Sequence, residues 1–171
     1  FTGAMDYYAN VEGVVWFVES VWPGIRACRA NAQFWIVGSN PTREVLALSS
    51  MPGVTVTGRV ADVRPYLKFA DVAVAPLRLA RGVQNKVLEA LAMNIPIVAA
   101  PQALQGLDEN PPSSVSVAAE PGEFASAVLR RIEGGSRTAG ERGRTYVAEH
   151  FDWKTNLEEF SEIASSLNPA V

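Results

Sequence analysis

The stretch from Asp71 to Pro101, DVAVAPLRLARGVQNKVLEALAMNIPIVAAP, constrains the fold more than any other part of this chain. Its apolar run from Val72 to Leu77 predicts a strand buried on both faces. Arg78 to Gly82 is a basic loop ending in glycine, Val83 to Met93 has helical spacing, and Ile95 to Ala100 predicts a second buried strand. Together these make one βαβ unit, which commits the chain to a parallel sheet carrying helices.

The helix of this unit begins at Gly82-Val83-Gln84-Asn85. A helix start has unpaired N–H groups and a partial positive charge, so it attracts anions. Arg78, Arg81 and Lys86 add three cations around it, and Glu89 lies three residues beyond Lys86 on the same helical face. Val87, Leu88, Leu91 and Ala92 supply the face expected to pack on the sheet. A cationic rim with a carboxylate behind it suits a phosphorylated ligand that also bears hydroxyls. An ordinary surface Lys-Glu pair would show the same spacing, and spacing alone does not choose between the two.

The rest of the chain repeats the alternation. Helices are expected from Asn10, as N-cap, through Val18, from Trp22 to Ala30, from Thr42 to Ser50, and from Asp62, as cap, through Phe69. Strands are expected at Gln33 to Val37, Val54 to Thr57 and Ser114 to Ala119, and helices at Phe124 to Glu133, Arg137 to Phe151 and Asp152 to Leu167. The pattern predicts an α/β fold, a doubly wound, Rossmann-like parallel sheet of about six strands with C-terminal helices. Ligands of such sheets sit beyond the carboxyl ends of the strands. The loops there are Gly3 to Ala9, Gly38 to Pro41, Gly58 to Ala61, Arg78 to Gly82 and Gln102 to Leu107.

Composition narrows the function. With 171 residues, 48% apolar and 19% charged, the chain is expected to be a single globular domain. A net charge of −3 and a pI near 5.2 argue against nucleic-acid binding. No apolar run is long enough to span a membrane. Cys28 is the sole cysteine and His150 the sole histidine, which leaves no Cys/His metal site and no histidine-dependent triad. Phe1-Thr2-Gly3 reads as the tail of a strand already under way, so the sequence is expected to be part of a longer protein.

GVQNKVLEALAMNIPIVAA resembles the signature of the C-terminal half of retaining GT-B glycosyltransferases of family 4, E-G-F-G-x-x-x-x-E-A-M-A-x-G-x-P-V-V-A. An exopolysaccharide-type sub-branch with P-L-R, a short loop and G-x-x-x-K-x-x-E-A is more similar still, with Arg78, Gly82, Lys86 and Glu89 at the matching places. The resemblance covers nearly the whole chain. It implies a donor-binding domain whose N-terminal, acceptor-binding half lies outside this sequence. Glu89 then stands where the family's second glutamate holds the ribose hydroxyls, and Arg81 replaces the first glutamate. Gly3 faces the donor phosphates, Gly58, Arg59 and Val60 hold the base, and Gln105 of Gln105-Gly106-Leu107 approaches the donor; Trp153 is structural. The family's phosphate-gripping arginine and lysine fall on Ala4 and Ala9, so Arg78, Arg81, Lys86 and the Gly82-Val83 helix start are expected to compensate the diphosphate instead. The implied reaction transfers a sugar from an NDP-sugar to an acceptor hydroxyl with retention, using no cofactor or metal, in the cytoplasm or at the inner face of the membrane. Two other readings stand beside it: a non-catalytic nucleotide-sugar or partner-binding module, which Arg81 favours, and an NDP-sugar epimerase, which the single histidine disfavours.

Overall fold

The structure, a computed structural model, describes residues 1–107, 111–134, 141–152 and 157. Apart from Asp152 and Leu157, the closing helix expected from Asp152 to Leu167 lies outside these residues, as do Trp153 and the start expected at Arg137. Along the chain run α1 (Tyr8–Trp16), α2 (Trp22–Cys28), β1 (Phe34–Val37), α3 (Arg43–Ala47), β2 (Val54–Gly58), α4 (Arg64–Phe69) and β3 (Ala73–Ala75). There follow α5 (Asn85–Ala92), β4 (Ile97–Ala99), β5 (Val115–Val117), α6 (Pro121–Glu133) and α7 (Glu141–His150).

Side-chain alternation along the strands sorts the helices into layers. Val74 of β3 and Val98 of β4 face a cluster built from Val14, Phe17, Val18 and Ile25 together with Phe124 and Val128 of α6. Ala73, Ala75, Ile97 and Ala99 face the opposite cluster, with Val87, Ala90 and Leu91 of α5 and Tyr146 of α7. Strands β3 and β4 are thus covered on both faces, which is why their sequences read as continuous apolar runs. The buried face of α5 is Val87, Ala90 and Leu91; Ala92, expected on it, is exposed. Phe124 is fully buried and meets Trp16 and Phe17 edge-on, at centroid distances of 5.8 and 5.7 Å. Phe124→Ala is expected to cost about 3–5 kcal/mol in chemical denaturation.

The strands are all parallel but form two sheets, β1-β2 and β3-β4-β5. Among the described residues there are five strands in two sheets, so the expected single sheet of about six strands is not found there. The extended segment at Phe1 to Gly3 runs parallel to β1, Val37 N–H donating to the Phe1 carbonyl at 2.9 Å and Gly3 N–H to the Val37 carbonyl at 3.1 Å. It forms one bridge, Thr2 to Val37, instead of a full strand.

Two helix starts also differ from expectation. Tyr7, not Asn10, is the N-cap of α1, and Asn10 is buried inside the first turn. Helices α1 and α2 join through a π-helical turn, Phe17–Val21. Pro23 stands in the first turn of α2, where its missing N–H breaks the regular ladder and the wider turn absorbs the defect. Asp62 lies two residues before α4 and accepts from Arg64 N–H at 2.9 Å. At the other end of α5, Asn94 adopts φ +57°, Asn94 N–H bonds the Leu91 carbonyl and Ile95 N–H the Ala90 carbonyl. That Schellman pairing holds Ile95 in the helix stop, so β4 begins at Ile97.

Candidate functional site

The carboxyl ends of β1 and β2 and the start of α5 converge on a cleft of about 500 Å³. Its floor comes from Thr2 and Gly3 and from Val37, Gly38 and Ser39; Arg59 and Val60 form one wall, and Val83 through Lys86 with Glu89 the other. Local backbone chemistry explains this convergence. The register of β1 on β2 slips between Ile36 and Val37, so that Thr57 is an extra residue and Val37 pairs with Gly58. Such a bulge at a strand end turns the chain that follows, here Arg59 and Val60, across the strand tips. Gly38 permits an approach that no side chain would, since a Cβ there would lie 1.6 Å from the Gly3 carbonyl oxygen.

No side chain caps the start of α5, and no acidic residue occupies its first turn. Gln84, at the N-cap, donates from its amide nitrogen back to the carbonyls of Arg81 and Gly82, at 3.1 and 3.2 Å. Val87 and Leu88 N–H both reach the Gln84 carbonyl, whereas Asn85 and Lys86 N–H have no partner among the described residues. The cleft therefore faces two unsatisfied donors and the positive end of a helix.

Lys86 extends across the cleft. Its Nζ donates to Asn10 Oδ1 at 3.0 Å and lies 5.1 Å from the centroid of the Phe1 ring. Burial pulls its pKa below the ordinary lysine value, and Glu89 opposes that shift only in part. Glu89 stands at the solvent-open rim, yet its carboxyl has lost enough water to the wall to be held above the usual range, the nearby Lys86 working against this. Asn10 is the residue that sequence reasoning placed elsewhere. It is only 4% exposed, donates from Nδ2 to the Ala4 carbonyl at 2.8 Å, and so ties the first loop to Lys86. Its spacing from Lys86, 76 residues, left no local signal.

Of the residues singled out in the sequence, Gly3, Arg59, Val60, Val83, Lys86 and Glu89 line the cleft. Gly58 adjoins it at the end of β2, with φ +68°. Arg78 does not line it. Its guanidinium is engaged by Glu12 on α1 and stacks over the Trp16 ring, 5.1 Å from the centroid, so its charge is already neutralised. Arg81 and Gly82 are exposed on the loop outside. Gln105 is likewise outside, but its neighbour Gly106, at φ +90°, presses on Val83, whose Cγ2 a Cβ would meet at 2.6 Å. The fifth loop thus braces the wall without contributing to the lining. His150, far along the chain, stacks on Tyr146 at 4.5 Å. Among the described residues no cluster of three or more His, Cys, Asp or Glu side chains is placed to hold a metal ion, and no helix is long and apolar enough to cross a membrane.

Solved structures share this fold. TarM aligns with a TM-score of 0.76 at 14% identity, over 95% of this chain and 34% of its own. HepE of Anabaena, in complex with UDP, gives 0.74 at 17% identity, over 96% of this chain and 47% of its own. Sucrose-phosphate synthase from Thermosynechococcus elongatus gives 0.73 at 21% identity, over 99% of this chain and 45% of its own. The chain therefore spans less than half the length of each. No curated protein matches it by sequence. The model of the family described as glycosyl transferases group 1 matches residues 1–133, well over half of the sequence. The chain belongs to the glycosyl transferases group 1 family.

Proposed function

We propose that this chain is the donor-binding half of a retaining glycosyltransferase, and that the cleft holds the nucleotide diphosphate of an NDP-sugar whose sugar passes to an acceptor hydroxyl. One observation carries the reading: the uncapped start of α5, the Lys86 ammonium and the Glu89 carboxylate meet the strand-end loops of β1 and β2 in a single cleft. HepE, which shares the fold, is described in complexes with UDP and with UDP-glucose. In this arrangement Asn85 and Lys86 N–H, the Lys86 side chain and Gly3 face the diphosphate. Glu89 accepts from the ribose hydroxyls, and Gly58, Arg59 and Val60 border the base. Arg78 and Arg81 are left out of phosphate compensation, the first because Glu12 holds it and the second because it stands outside the cleft.

Mechanistically, negative charge grows on the leaving diphosphate as the glycosidic bond breaks. Donors fixed beforehand at that position stabilise the transition state more than the ground state. The helix start and Lys86 supply this stabilisation, and the reading gives no role to a cofactor or metal ion. Acceptor binding falls to an N-terminal half of the same protein, working in polysaccharide or glycan assembly in the cytoplasm or at the inner membrane face.

Glu89→Ala is expected to weaken both nucleosides and nucleoside diphosphates by about 1–3 kcal/mol, because the ribose is common to them. Calorimetric titration should show the wild-type chain preferring UDP over 2′-deoxy-UDP and the variant losing that preference. An unchanged preference would remove Glu89 from the ribose. A second reading, a non-catalytic nucleotide-sugar-binding module, is favoured by the exposed Arg81 at the place of the family's first glutamate; turnover of an NDP-sugar by the two-domain protein separates the two.

A further inference from the structure

We propose that Asn10 is a positioning residue that presents the Lys86 ammonium to the donor diphosphate without neutralising it. The inference rests on the donor-binding reading above and goes beyond it by assigning a role to a residue on a different element.

Two cations look alike in the sequence. Arg78 and Lys86 both flank the loop between β3 and α5, yet they end in opposite states. The Arg78 guanidinium meets a carboxylate, Glu12, and is left with little charge for a ligand. The Lys86 ammonium hydrogen-bonds a neutral group, the Asn10 amide oxygen at 3.0 Å, and lies 5.1 Å from the centroid of the Phe1 ring. Glu89, one turn along α5, forms no ion pair with it within 4 Å. An amide oxygen and a ring face both fix where an ammonium sits, and neither cancels its charge. The cation keeps two further N–H donors for a phosphate.

Asn10 is built for that task. It is 4% exposed, and its amide nitrogen is held by the Ala4 carbonyl at 2.8 Å, which fixes the oxygen towards Lys86. Gly3 leaves room for it, since a Cβ at Gly3 would fall 2.7 Å from Asn10 Nδ2. One side chain therefore sets the distance between the Gly3–Ala4 turn and the Lys86 ammonium, and both border the cleft.

The test compares affinities of the full chain for UDP and uridine, and for GDP and guanosine, because only the diphosphates report on Lys86. Asn10→Ala is expected to weaken the diphosphate about 10-fold and to leave the nucleoside within about twofold. In a Lys86→Met background the same substitution should change diphosphate affinity by less than about twofold, since there is no ammonium left to position. Asn10→Asp keeps the shape and the acceptor but pairs Lys86 with a carboxylate; a diphosphate-specific loss of about 10-fold is again expected, with an unfolding midpoint no lower than that of Asn10→Ala. Should Asn10→Ala not fold, the aspartate variant decides alone. The inference is overturned if Asn10→Asp retains diphosphate affinity, if diphosphate and nucleoside weaken equally, or if the alanine effect persists without Lys86. A wild-type chain that bound nucleosides and diphosphates equally would overturn it too, and one that bound neither would overturn the donor-binding reading with it.

Discussion

Lys86→Met is expected to weaken nucleoside diphosphate binding about 10- to 150-fold while changing nucleoside binding by no more than about twofold. The range is that of a lost hydrogen bond to a charged group, about 1.5–3 kcal/mol, converted to affinity. Methionine conserves the length and most of the apolar stem, and it removes a charge that the fold desolvates, so the unfolding midpoint should hold or rise. A loss of binding without loss of stability separates a ligand contact from a packing effect. The sign of the pH dependence follows from the same group. In the free chain the Lys86 pKa lies below the usual 10.5 because burial disfavours the charged form. A bound diphosphate favours the ammonium and raises that pKa, so binding takes up a proton. Affinity should then fall as pH rises through the lowered free-chain value. Titrations across alkaline pH should show a steeper decline in the wild type than in Lys86→Met, since any titration of the base is common to both.

Gly38→Ala is expected to cost about 3 kcal/mol or more and to abolish binding of nucleosides and diphosphates together. The added Cβ would fall 1.6 Å from the Gly3 carbonyl oxygen and 2.7 Å from the carbonyl carbon, both backbone atoms that cannot rotate away. Gly3 N–H to the Val37 carbonyl, 3.1 Å, and Met5 N–H to the Ser39 carbonyl, 2.7 Å, knit the two loops together on either side of that contact. Relief requires the first loop to leave β1, which opens the cleft floor and exceeds the usual cost of one surplus methyl. Gly58→Ala is the control. Its φ of +68° is costly for alanine, about 1–2 kcal/mol, but nothing lies within 4 Å of the added atom. Thermal denaturation of the two variants should therefore rank Gly38→Ala well below Gly58→Ala.

What could be read from the sequence, and what could not, divides along the distance over which each feature is determined. The β3-α5-β4 unit is legible because its signals are local: apolar runs of strand length, helical spacing, a glycine before the helix. The cleft position is legible because a parallel α/β sheet leaves its ligand side at the strand tips, and Gly3, Arg59, Val60, Val83, Lys86 and Glu89 all lie there. The state of each cation is not local. Arg78 is neutralised by Glu12, 66 residues earlier, and Lys86 is oriented by Asn10, 76 residues earlier. Asn10 itself reads as an N-cap because asparagine favours that place, and tertiary packing overrides the preference by burying it within α1. The two-sheet arrangement was hidden for a related reason. The segment at Phe1 to Gly3 makes only one bridge to β1, and whether such a segment completes a strand depends on partners that its own residues do not specify.

Whether this cleft binds the nucleotide diphosphate of a sugar donor is decided by calorimetric titration of the full chain with UDP, GDP and ADP beside their nucleosides. At least one diphosphate should bind more tightly than its own nucleoside, Lys86→Met should remove this advantage, and Glu89→Ala should weaken both members of the pair. Absence of binding by every diphosphate, or an advantage that survives in Lys86→Met, would contradict the donor-binding reading.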